Sequence, residues 1–352
     1  MRPGPDTATL AGAVAVGCHV DVVRGSTVLA VDVPTRGAAL EWAGDKVVPA
    51  QLKYEATLDW VPAAPLDPLN RFGQRSQVTA VYQTPDGHRW EVPLGEYLHT
   101  SWSVSTSSVT VTAVDLMQLL EQDPMAWPSS PAPGATLRTE MQRLAGTLPV
   151  VLDAGVPDSL VPVSSQWGSS RTEAALSLAT SKGCGLRVGP DACLHVYPLR
   201  DASALDAVYT TADLLLDIDH KPLGTARRPN RWVVTGTSQD GQTETRWTAE
   251  RAHYEPPYDL DGYGQVTAVT SLPSAAAAAD VEAAAAEQMR AALAETASRT
   301  IEIVPDPRIE VGDVIGVTTA DGEALAGRVT AYALPLSDPT ASMRVDVDVL
   351  SW

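Results

Sequence analysis

Hydrophobic and polar positions alternate with a period of two through most of the first 115 residues, the spacing of strands with one face in a core and one in water. Val20, Val22 and Val28, then Leu29, Val31 and Val33, are separated by Arg24-Gly25-Ser26, which predicts extended segments joined by a turn. Residues 46–60 predict another extended pair. Val61-Pro-Ala-Ala-Pro-Leu-Asp-Pro68 interrupts the pattern, because proline brings no ladder donor, and reads as a loop. Segments 77–82 and 88–92 flank Pro85-Asp86-Gly87, a hairpin signal, and residues 100–105 and 108–114 read as a second hairpin. The period then changes. Asp115-Leu-Met-Gln-Leu-Leu-Glu-Gln reads as a helix with Asp115 as its cap.

Pro124, Pro128, Pro131 and Pro133 mark a linker or exposed loop. Beyond it the pattern is mixed. Residues 137–144 fit a helix with Thr136 as cap, and Ser170-Arg-Thr-Glu173 is a capping-box sequence opening a second helix that ends near Gly183. Residues 186–188 and 194–197 read as strands around Gly189-Pro-Asp. From Tyr209 strands return, with 231–237 and 244–249 paired around Asp240-Gly241. Residues 275–298 are Ala-rich. A flexible linker is the alternative, but the Glu287–Arg290 pair and the apolar Met289 and Leu293 favour a helix at about 276–298. Strands at 300–304, 314–318, 326–333 and 343–350 close the chain, with Gly312-Asp313 before one strand and Asp321-Gly322 turning a hairpin. The expected architecture is therefore mainly β with an α/β insert. It has a barrel-sized β region at 1–123, a small α/β domain at 124–205, and at 206–352 strands, the Ala-rich helix and a second barrel-sized region.

Of the 352 residues 44% are hydrophobic, enough for a large core. The balance of 25 basic to 43 acidic residues, net −18, excludes a general phosphate-binding surface, though not a local patch. Cys18, Cys184 and Cys193 are few and odd in number, which argues against a disulfide framework and for folding in a reducing cytoplasm. No stretch has the length and apolarity of a signal peptide or membrane span.

Chemistry is sparse. Cys184, Cys193 and His195 offer three metal ligands without zinc-module spacing, and read as a buried thiol and a strand histidine. Asp217, Asp219 and His220 read as a polar turn. Asp259-Leu-Asp261-Gly262 starts like a calcium loop but lacks the bidentate Glu. Trp167-Gly-Ser-Ser-Arg171 lacks the glycines of a nucleophile elbow, and its serines suit a helix cap. His19, His88, His99 and His253 fall in no ligand-spaced pair, and no phosphate-cradling glycine motif occurs. The tryptophans read as core or interface anchors. No catalytic, cofactor or metal residue is expected, and the chain is not expected to be an enzyme.

Three segments carry a family resemblance. Val92-Pro-Leu-Gly-Glu-Tyr-Leu-His99, running on to Val109-Thr-Val-Thr-Ala-Val-Asp115, resembles the first barrel of phage tail hub proteins. Asn230-Arg-Trp-Val-Val-Thr-Gly236 resembles the strand that re-enters after the insert. Pro305-Asp-Pro-Arg-Ile-Glu-Val-Gly312-Asp313-Val-Ile-Gly-Val317, with Gly327–Tyr332, resembles the closing barrel. The order and spacing of these segments are similar to minor tail (hub) proteins of siphophages and prophages of high-GC actinobacteria, to contractile baseplate hubs and to the N-terminal hub of tail-associated lysins. Unlike the lysins, the sequence carries no peptidase or glycosidase extension after the final barrel.

The resemblance implies two hub barrels per subunit and a homotrimer matching the hexameric tail tube or distal tail protein. It implies contacts to the tape-measure protein and to tip or fibre proteins, with genomic DNA present only in transit. It places the protein at the virion tail tip after synthesis in the host bacterial cytoplasm. Rival readings are a carbohydrate-binding tail-tip module, a cell-wall hydrolase with a site in 136–200 or at Asp217 and His195, and a hub from a contractile particle.

Overall fold

The computed structural model describes residues 1–44, 46–219, 229–240, 243–256, 258–272, 278–294, 298–320 and 322–350. They form two compact units, residues 1–219 with 300–352, and residues 220–299. The fold is mainly β, as the alternation predicts.

A short helix, α1 (Thr7–Leu10), is capped by Asp6, whose carboxylate accepts the Thr9 N–H at 2.8 Å. Seven strands follow: β1 (Ala15–Arg24), β2 (Thr27–Ala30), β3 (Arg36–Ala43), β4 (Ala50–Ala56), β5 (Gln74–Gln83), β6 (Arg89–Val104) and β7 (Val109–Asp115). They pair in the order β2-β1-β5-β6-β7-β4-β3. Alternation becomes burial directly. Leu52, Tyr54 and Ala56 of β4 and Val109, Val111 and Ala113 of β7 face one core, while Lys53 and Glu55 face water. Each buried Val, Leu or Tyr contributes about 1.5–3 kcal/mol.

Three details differ from the sequence expectation. Strand β2 stops at Ala30, because Asp32 takes a left-handed φ of 50° and its N–H turns to the Asp21 carboxylate. The two predicted segments at 88–92 and 100–105 belong to one 16-residue strand, β6. It absorbs Pro93 at a bulge beside Gly95, where proline and a φ of 129° are both tolerated. Asp115 ends β7, and Leu116 takes the cap position; the Asp115 carboxylate still accepts the Met117 N–H at 2.7 Å.

Helix α2 (Met117–Gln122), before residue 124, packs Met117 and Leu120 into the core of the insert, which contains α3 (Leu137–Ala145), β8 (Val150–Leu152), α4 (Arg171–Ser181), β9 (Cys184–Val188) and β10 (Leu194–Pro198). Thr136 and Ser170 cap α3 and α4 as their sequences predict. Met141, Leu144, Ala175 and Leu178 of the helices close a second core over the sheet β8-β10-β9.

Strands β11 (Ala207–Thr210) and β12 (Leu215–Ile218) return to the main sheet. The second unit then forms on its own from β13 (Arg231–Asp240), β14 (Thr243–Ala252), β15 (Thr267–Leu272) and α5 (Ala278–Ala294). Its sheet runs β14-β13-β15, and small Ala284 and Ala285 let α5 lie close against Val234 and Ala249. The Ala-rich segment is thus a helix. The side chains of Glu287, Arg290 and Leu293 lie outside the described residues, as do Asp45, His220, Gly241 and Asp321.

Strands β16 (Ser298–Ile303), β17 (Val314–Thr318), β18 (Ala324–Pro335) and β19 (Met343–Leu350) complete a 13-stranded sheet. The second half runs β12-β16-β19-β18-β17-β11. Each half wraps. A corner held by Asp213, which accepts the Thr210 N–H at 3.0 Å, joins β11 to β12. The Val33 N–H donates to the Val20 carbonyl where the chain crosses from β2 towards β3.

The halves share one strand. Residues 324–328 of β18 pair with β17, and residues 331–335 pair with β3. Between them the register with β19 shifts at Thr330. An extra residue inverts which side chains face inward. Leu325 and Val329 are therefore buried before the shift, and Tyr332 and Leu334 after it.

The backbone is so close at this shift that a Cβ on Gly44 would lie 2.8 Å from the Thr330 carbonyl oxygen. Gly44→Ala is expected to destabilise by roughly 1–3 kcal/mol in urea unfolding. Gly17→Ala in β1, where a Cβ meets nothing within 4 Å, is the control and is expected to change stability by less than about 1 kcal/mol.

Candidate functional site

The segment Pro305–Asp313 folds around its own carboxylates. Asp306 is fully buried and accepts from the Arg308 backbone N–H at 2.9 Å, its Nε at 2.9 Å and Nη2 at 2.7 Å, and from the Tyr209 hydroxyl at 2.9 Å. Burial, reinforced by Asp306, raises the Tyr209 pKa far above the ordinary phenol. Asp313 accepts the Glu310 N–H at 2.7 Å and so closes the turn at Gly312. Burial raises the Asp313 pKa, opposed by the N-terminal ammonium at 2.7 Å.

Gly312 has a φ of 89°, and a Cβ there would lie 2.3 Å from Cε2 of Tyr197. The same ring would meet a Cβ on Gly185, its cross-strand neighbour, at 2.4 Å. Tyr197 of β10 therefore lies in a slot that only glycine leaves open. Arg187 stacks over its ring at 4.9 Å and donates to the Val311 carbonyl at 3.0 Å. That guanidinium also lies 3.3 Å from Asp153 and 3.5 Å from Glu310. Arg2 donates to the carbonyls of Pro307 and Ile309 at 3.2 and 2.7 Å. Arg200 holds Asp206, which in turn accepts the Val314 N–H at 2.8 Å. A cleft of about 330 Å³ opens here, lined by Asp153, Arg187, Tyr197, Arg200, Asp206 and Asp313. Its cations are already paired with carboxylates or carbonyls. This is a joint between the insert and the closing half, and among the described residues lining it no nucleophile is poised beside a base.

A buried polar chain crosses the first half. The Asn70 carbonyl can only accept, so His99 Nδ1 carries the proton that reaches it at 3.0 Å. His99 Nε2 then accepts from the Ser76 hydroxyl at 2.7 Å, and Ser76 accepts from Tyr54 at 3.0 Å. The serine and histidine are both buried, and the chain is fully used in pinning loop 61–73 to the strands. Burial lowers the His99 pKa to about 4. It pushes that of Asp115 up to about 7, against the hydrogen bonds from Met117 and Ala50.

The residues weighed in the sequence are dispersed. Cys184 is buried in the insert core, opposite Pro198. The Cys193 thiol turns to the Asp191 carbonyl. His195 lies between Asp153 at 2.6 Å and Asp191 at 3.0 Å. Burial lowers its pKa, and the two carboxylates more than reverse this. Among the described residues no group of His, Cys, Asp and Glu is arranged to hold a metal. Asp217 accepts the adjacent Ile218 N–H, and its neighbour His220 lies outside the described residues. Asp259 accepts the Gly262 N–H at 2.7 Å, which makes that segment a turn. Trp167 donates to Glu140 at 2.7 Å, and Ser170 caps α4.

No known family model matches the sequence, and no curated protein does. Solved structures do. A tail protein from Neisseria meningitidis MC58 is similar over 94% of this chain and 96% of its own, at 15% identity and a TM-score of 0.68. The 43 kDa tail protein of prophage MuSo2 from Shewanella oneidensis is similar over 94% and 98%, at 11% identity and a TM-score of 0.65. Prophage tail protein gp18 from Listeria monocytogenes EGD-e is similar over 94% of both chains, at 12% identity and a TM-score of 0.55. The chain has the fold of these tail proteins.

Two expectations follow from the site. Gly312→Ala is expected to displace Tyr197 and lower the melting temperature, with faster amide exchange in β9 and β10; unchanged exchange there would contradict the slot. The buried pair gives opposite pH dependences. The raised Asp115 pKa contributes stability at low pH that is lost as pH rises from about 4 through 7, about 4 kcal/mol in all. The lowered His99 pKa contributes stability above about 6.5 that is lost as pH falls through 4, about 3 kcal/mol. Urea titrations of Asp115→Asn should therefore gain on the parent chain as pH rises from 4 to 7. Those of His99→Gln should fall behind it from 4 to 6.5. Gaps that stay constant with pH would refute both assignments.

Proposed function

We propose that this chain is a structural component of a phage or prophage tail, a hub that assembles as a homotrimer at the distal end of the tube. Its likeness to tail proteins over 94% of its length carries the reading. The two halves of the main sheet joined through β18 add to it. Two similar units per subunit suit a three-fold body docking on a six-fold tube, and a closed ring leaves no sheet edge exposed.

In this role the hub continues or closes the tube formed with the distal tail protein. It holds the end of the tape-measure protein, carries tip or fibre proteins and opens for genomic DNA. The net charge of −18 supports a conduit wall that repels the passing polyanion. The role needs no catalysis, which suits a molecule whose buried acids and bases are held in structural pairs. The Ala-, Val-, Asp- and Pro-rich composition favours a phage or prophage of a high-GC actinobacterial host.

Native mass spectrometry and electron microscopy of the purified chain, with and without its tail-tube partner, test the reading. A three-fold ring is expected. A chain that stays monomeric in both conditions refutes it.

A further inference from the structure

The two charge-free stretches of the insert are brought together. Residues 124–137 and 159–170 contain no Asp, Glu, Lys or Arg, in a chain that is 19% charged. Backbone hydrogen bonds fasten them side by side: Met125 N–H to Ser169 O at 2.7 Å, Ser129 and Trp167 to each other at 3.1 and 2.8 Å, Val161 to Ala135 at 2.9 Å, and Leu137 to Ser159 at 2.8 Å. Met125, Val161 and Trp167 turn into the insert core. Trp127, Leu160 and Val163 turn outward and are 80%, 67% and 56% exposed. Three of the cations at the margin are occupied. Arg143 is held by Glu140, Arg171 by Asp123, and Lys182 donates to the Leu160 carbonyl.

Such a surface is preorganised. Proline and the cross-loop hydrogen bonds have already removed most of the backbone freedom that binding would cost. An exposed tryptophan in a rigid setting is the residue type that anchors protein interfaces. The absence of charge identifies the partner. Two bodies that each carry −18 repel over most of their surfaces, and they approach at least cost through faces that carry none.

We infer that the paired loops form a contact face between copies of this chain, with Trp127 at its centre. The inference rests on the self-assembly proposed above and adds the face through which it occurs. The contact is apolar between like-charged molecules, so salt strengthens it.

Sedimentation velocity of the full chain tests this, comparing the parent with Trp127→Glu, Leu160→Asp and Gly168→Glu. Gly168 is exposed on the paired loop between Trp167 and Ser169, which bond to the strand-like stretch carrying Trp127, and a Cβ there meets nothing within 4 Å, so that variant adds charge to the face without disturbing the fold. Thermal melts verify folding. The parent is expected to self-associate, more tightly at higher salt, and each variant to weaken association by about ten-fold or more. If the parent self-associates and the folded Gly168→Glu variant does so equally well, the face is refuted while the ring reading stands. Weakening of the parent by salt refutes the face in the same way. A parent that is monomeric at all concentrations, with its tube partner present, refutes both.

Discussion

Strand β18 is the constraint on which the fold depends. Among the described residues it is the one strand that hydrogen-bonds into both halves of the main sheet, and it does so by changing neighbours at Thr330. A strand of constant parity would bury its apolar residues on one side of that point and expose them on the other. The shift solves this with one residue. It leaves no room for a side chain on Gly44, and it lets Val329 and Tyr332 both point inward although an odd number of positions separates them. The two halves consequently form one cooperative sheet instead of separate beads.

The insert is attached by different means. Where β18 uses backbone hydrogen bonds, the joint at Pro305–Asp313 uses buried carboxylates, arginines and a tyrosine ring against glycine. Breaking one member of such a set leaves a buried charge without its partner, which costs far more than the pair contributes when intact. That asymmetry favours a single fixed geometry over high stability. It also accounts for the concentration of ionisable residues at this joint.

Much of the fold was legible locally. Pro85-Asp86-Gly87 turns its hairpin, Thr136 and Ser170 cap their helices, and the Ala-rich segment is helical, because in each case the deciding interaction lies within a few residues. The joint was legible only in part. Gly312 stood out as a turn, but the second reason for glycine there is a ring from β10 that no local pattern announces. His99 was visible as an isolated histidine, whereas its partners Ser76 and Asn70 come from another strand and a loop. Residues 88–92 and 100–105 read as separate segments, yet β6 joins them through Pro93 and Gly95 because a bulge accommodates both. The first charge-free stretch reads as a proline-marked loop, and only its pairing with 159–170 across the insert makes the two one surface.

The position of β18 in the chain also shapes how the protein is made. Ala38 of β3 finds its partner in Ser337, 299 residues later. At about 5–20 residues per second, the ribosome leaves that edge without its neighbour for at least about 15 seconds after β3 emerges. During that interval the nascent first half has an open flank, and the late arrival of its mate makes the folding of this chain a problem of protection during translation as much as of final stability.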